Sequence, residues 1–145
     1  MGSTTVTFDG RSFEASDGQL EIWLELLVSE IDRRAASPLW LRQVRDDWHL
    51  QATAGFGMGV IPDLDRHVTD EERRATLIAL CEAGLARLEA LGDTLSRDQL
   101  NALGTGGEGS AFTTDLPTEL FRRVGLYFLH LLQRQLSPDE IDARF

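Results

Sequence analysis

The chain has 145 residues, 42% of them apolar, and a formal net charge of −10 from 14 basic and 24 acidic side chains. A chain of this size buries roughly 68–70% of its unfolded surface in one ordinary core, so disorder, collagen-like repeats and a metal- or disulfide-stapled miniature are excluded. Every basic residue is Arg, which removes the Lys of a P-loop, of Schiff-base chemistry and of a kinase phosphate clamp, and Cys81, the lone cysteine, excludes an intramolecular disulfide and a Cys-rich zinc site.

In chain order, Thr4, Val6 and Phe8 precede Asp9-Gly10, and Phe13 and Ala15 follow. Asp-Gly suits a two-residue type I′ turn, so residues 1–15 are expected to form a hairpin pairing Val6 with Phe13. That register places Val6, Phe8, Phe13 and Ala15 on one face, to be packed on helices. Ser16 and Gln19 have capping-box spacing and open a helix with a stripe of Leu20, Trp23, Leu24, Leu27 and Ile31. Ser37-Pro38 starts a second helix bearing Leu41, Val44 and Trp48. Thr69 and Glu72 box a third, lined by Leu77, Leu80, Cys81, Gly84, Leu88 and Leu91 and ended by Gly92. Ser96 and Gln99 cap a short fourth.

The helix expected over residues 116–136 is apolar nearly all round through Leu120, Phe121, Val124, Leu126, Tyr127, Phe128, Leu129, Leu131 and Leu132. Such a helix belongs at the centre of a domain or in an interface. Ser137, Pro138, Asp139 and Glu140 then signal a last short helix ending at Phe145. The expectation is a mainly α, single-domain bundle of five to six helices over residues 16–145, with an N-terminal β-hairpin packed on it.

Nothing here reads as a leader or a membrane span, and the cysteine usage suits a reducing cytoplasm. The acid surplus argues against nucleic-acid partners, whose phosphates need Arg or Lys. Two glycine-rich loops stand out. The first runs over residues 55–62 and leads into Asp63, Asp65 and His67; the second covers 104–110 and contains Glu108. Glycines let backbone N–H groups approach an anion, and Asp63, Asp65, His67 and Glu108 are the polar groups of a small-molecule- or metal-binding enzyme site between the loops. Neither loop has a strand–turn–helix context, Ser110 has no nucleophile-elbow glycines, and His49, His67 and His130 match no zinc spacing. Asp46 and His49 share one face of the second helix, short of a complete metal site. No catalytic set, cofactor or metal is therefore assigned.

The most informative surface signal is on the first helix. Asp17, Glu21, Glu25 and Asp32 fall within an arc of about 80° beside the apolar stripe. Glu21 and Glu25 are a like-charge i,i+4 pair that costs the helix a few tenths of a kcal/mol. This row reads as a docking edge for a basic protein, and the chain as a non-enzymatic interaction domain of the immunity or antitoxin type, or an adaptor. On the fifth helix Arg123, Tyr127, His130 and Arg134 form an opposite, basic face suited to an anion or to a homodimer contact.

Overall fold

The computed structural model describes residues 2–53, 59–103 and 112–144. Strands β1 (Ser3–Phe8) and β2 (Arg11–Ser16) form an antiparallel hairpin with Val6 opposite Phe13. Asp9 and Gly10 both take positive φ, 53° and 79°, as the type I′ turn demands. Val6, Phe8, Phe13 and Ala15 are all buried, which is the expected inner face.

Among the described residues six helices follow: α1 (Asp17–Asp32), α2 (Leu39–Thr53), α3 (Leu64–His67), α4 (Glu71–Ala90), α5 (Arg97–Leu103) and α6 (Thr118–Leu132). Two-residue strands β3 (Thr94–Leu95) and β4 (Leu116–Pro117) pair between α4 and α6. The architecture is mainly α with the hairpin packed against the helices. No helix among the described residues is long and apolar enough to cross a membrane.

Local signals and observed ends agree in part. Ser96 and Gln99 make a reciprocal box, with Gln99 N–H on Ser96 Oγ at 3.1 Å and Ser96 N–H on Gln99 Oε1 at 2.8 Å. Ser16 accepts from Gln19 N–H, but the Gln19 amide turns away to donate to the Arg144 carbonyl. The cap of α4 is Asp70, not Thr69: its carboxylate accepts from Arg73 N–H at 2.8 Å. The expected helix over residues 137–145 is absent from the described residues. Its box forms a single turn, with Ser137 N–H on the Glu140 carboxylate. The chain then runs along β2, where Glu14 N–H donates to Ile141 O and Ala143 N–H to Glu14 O. Backbone groups taken by a strand edge cannot also close a helical ladder. The sixth helix is instead α3, which the sequence pattern did not mark.

The centre is α1 rather than α6. Beyond the expected stripe, Ile22, Leu26 and Val28 are also buried, and α1 touches α2, α4, α5, α6 and β2. On α6, Leu120, Leu126 and Tyr127 are only partly covered. Trp23, fully buried, fixes how closely α1, α4 and α6 approach. Its ring lies against Gly84 of α4 and Gly125 of α6, and edge-on to Phe128 at 6.1 Å between centroids. Trp48 on α2 meets Phe128 at 6.0 Å, and its indole N–H donates to Pro62 O at 2.8 Å.

A Cβ at Gly125 would sit 2.7 Å from Trp23 Cζ3 and 2.8 Å from Leu85 Cδ2. Overpacking of this kind costs about 1–3 kcal/mol, against a helix-propensity gain of about 1 kcal/mol for Ala over Gly. Gly125→Ala is expected to lower the urea midpoint despite that gain. Gly84→Ala, whose nearest contact would be 3.1 Å, is expected to lose less. A Gly125→Ala protein as stable as the wild type would show that Trp23 does not need the slot.

Candidate functional site

The four carboxylates of α1 do run in one row, but the row lies along the seam with α2 and the hairpin instead of facing solvent throughout. At its far end Arg45 of α2 grips Asp32 with Nε and Nη2 at 3.0 and 3.2 Å. One α2 turn on, His49 Nδ1 lies 2.8 Å from Glu25 Oε1. Glu25 is 9% exposed, so this carboxylate is part of the interior. Burial raises the Glu25 carboxyl above its ordinary range, and the hydrogen bond and charge of His49 pull it back. At the near end Thr4 Oγ1 donates to Asp17 Oδ1 at 2.6 Å and receives Val60 N–H at 3.1 Å.

Glu21, between Asp17 and Glu25, has no ion pair or side-chain hydrogen bond among the described residues. Burial, with the Asp17 charge adding to it, pushes its carboxyl up to about 7. The expected solvated edge is thus corrected at Glu25, which is buried, while Asp32 is exposed but paired with Arg45. The missed partners are Arg45 and His49. Their i,i+4 spacing on α2, set against one carboxylate at the end of α1 and another about two turns before it, was the available signal.

The polar groups of the expected loop site separate. The segment holding Asp63, Asp65 and His67 is helical from Leu64, so alternate residues do not share a side. Asp63, in left-handed backbone, accepts from Arg66 Nε; Asp65 Oδ1 accepts Asp9 N–H at 2.9 Å. His67 is buried, edge-on to Trp48, with Nε2 2.8 Å from Asp47 Oδ2. Asp46 goes to Arg45 while His49 goes to Glu25, so that pair does not act together. Glu108 with the whole of the second glycine-rich loop, and residues 55–58 of the first, lie outside the described residues. Among the described residues no three of His, Cys, Asp or Glu gather as metal ligands.

The basic face of α6 is largely used within the molecule. Tyr127 stands edge-on to Phe13 at 5.7 Å, and His130 Nδ1 lies 2.6 Å from Glu140 Oε2. Arg134 donates to Asp9 at 2.9 Å and Glu71 at 3.1 Å, and its guanidinium stacks on Phe8. Of the three basic members, Arg123 alone has no ion pair among the described residues.

A second acidic surface comes from α4. Glu72, Ala75, Ala79, Glu82, Ala83, Ala86, Glu89 and Ala90 are all exposed, and at 100° per residue they fall within an arc of about 120°. Glu72, Glu82 and Glu89 carry no ion pair among the described residues. The face is a level strip of alanines about 27 Å long, rimmed by uncompensated carboxylates. Sequence reading had followed only the apolar side of this helix. The opposite face, alternating Ala and Glu at the same spacing, was legible as well.

Comparison of the chain with protein-family models, with curated proteins and with solved structures finds no match.

Two predictions follow from this geometry. Because the folded Glu21 carboxyl titrates above its unfolded value of 4.5, the folded state holds the proton more tightly, and stability falls as pH rises from 4.5 to about 7. Glu21→Gln is therefore expected to raise Tm at about pH 8 and to leave it nearly unchanged at about pH 4, where both forms are neutral. Equal Tm gains at both pH values would remove burial of the charged form as the cause. Cys81 is fully buried, and burial pushes its thiol up. It should react with a thiol reagent such as dithiobisnitrobenzoate only as the protein unfolds, with a rate that follows denaturant concentration.

Proposed function

We propose that the protein is a non-enzymatic, acidic interaction domain that holds a basic protein partner, as an inhibitor of the immunity or antitoxin kind or as an adaptor. One observation carries this reading: in a chain of net charge −10, Glu72, Glu82 and Glu89 stand exposed on the outer face of α4 with no ion pair among the described residues. Small alanine side chains between the glutamates allow close approach of a helix, and uncompensated carboxylates favour Arg- or Lys-bearing surfaces and speed their encounter. Asp17 and Glu21 are the half-covered part of the α1 row. The docking role read for Asp17, Glu21, Glu25 and Asp32 thereby moves mainly to α4, since Glu25 and Asp32 serve the α1–α2 seam. A reducing cytoplasm, where a single buried thiol stays reduced, is the fitting compartment.

Affinity capture from native lysate with the wild type and with E72Q/E82Q/E89Q as baits tests the reading. The wild type is expected to recover a basic protein at low salt and to lose it at high salt, while the variant loses it at both. A partner held equally by the variant, or no basic partner at all, would sink the proposal.

A further inference from the structure

A cavity of about 530 Å³ opens at the turn from α1 into α2, walled by Arg34, Arg42 and Arg45 with Asp32 and Asp46. Its size falls within the range of small-molecule sites, about 300–1,000 Å³. Arg45 is fixed and compensated: Asp32 takes it in a fork, and Asp46 accepts from Nη1 at 3.4 Å. Arg34 and Arg42 have no carboxylate partner among the described residues. Ala35 and Ala36 contribute only short side chains to the wall. No acidic side chain occupies the first turn of α2 on this side. In a chain with a formal charge of −10, two uncompensated guanidinium groups on one cavity reverse the local sign.

We propose that this cavity binds a small phosphate monoester. Guanidinium forks match phosphate oxygens in paired hydrogen bonds. A phosphomonoester carries a charge of about −1.5 to −2 near neutral pH, which balances Arg34 and Arg42 together. With three guanidinium groups against two carboxylates the walls carry a net charge of +1, so the preference for phosphate over a monocarboxylate rests on the additional oxygens that a phosphate offers to the two guanidinium forks. Arg45 is engaged by Asp32 in a two-bond fork that does not depend on Asp46, and it is not among the phosphate donors. The site is one of recognition, separate from the α4 surface, and stands or falls independently of it.

Calorimetric titration of the full chain with glycerol phosphate, at constant ionic strength in chloride, tests the assignment. Saturable one-to-one binding is expected for the wild type. R34Q/R42Q should bind about tenfold more weakly or worse, as loss of hydrogen bonds to a charged group implies. Asp46→Asn, which removes a competing charge from an exposed wall position, should bind more tightly. Thermal melts report whether each variant folds, and the gain expected of Asp46→Asn cannot arise from damage to the fold. No saturable binding by the wild type, or affinities unchanged in both variants, would overturn the proposal.

Discussion

Trp23 sets the spacing of the helices. Its indole can lie between α4 and α6 because the residues it meets there, Gly84 and Gly125, have no side chains. Close backbone approach brings Phe128 edge-on to Trp23 and, on its other side, to Trp48. Aromatic pairs in this geometry contribute about 0.5–1.5 kcal/mol each beyond their burial. Trp48 in turn ties the chain after α2 back to the core through its bond to Pro62 O. The indole N–H of Trp23 has no partner among the described residues, so this side chain serves by shape and apolar area. Everything that surrounds α1 inherits its position from that contact.

Polar chemistry is then arranged around the same helix. A carboxylate as enclosed as Glu25 loses several kcal/mol of hydration, an amount repaid only by good geometry and further hydrogen bonds. His49 provides the contact, and Asp32 with Arg45 closes the seam one end further on. On the opposite side Arg87 of α4 donates to Glu30 Oε1 at 2.6 Å. The acids of α1 therefore act chiefly as alignment marks between helices. Exposed pairs such as Arg122 with Glu119 contribute about 0–1 kcal/mol and decide little. Surplus negative charge is left where no helix covers it, on α4.

Much of the fold could be read directly from residue order. Asp9-Gly10 determined the hairpin register, and the apolar spacing located α1, α2, α4, α5 and α6, because these signals act within one turn or one strand pair. What escaped were contacts between distant segments. Ser137 and Glu140 form their local box, yet a β2 edge far back in the chain claims the residues that follow. Residues 22–28 of α1 read as one amphipathic stripe, and only the surrounding elements reveal that nearly every one of them is interior. The acidic row was correctly placed on one helix face. Its exposure was not legible, since that depends on Arg45 and His49 arriving from α2. For Asp63, Asp65 and His67, alternate spacing implied an extended strand, whereas four residues of helix send each to a different partner.

The two ends of the described chain converge on the start of α1. Gly2 O accepts Asp17 N–H at 3.0 Å, and Arg144 O accepts from the Gln19 side chain two residues later. The first turn of α1 thus anchors both of these segments, so fraying of that one turn would loosen the outer strand of the hairpin and the strap along β2 together.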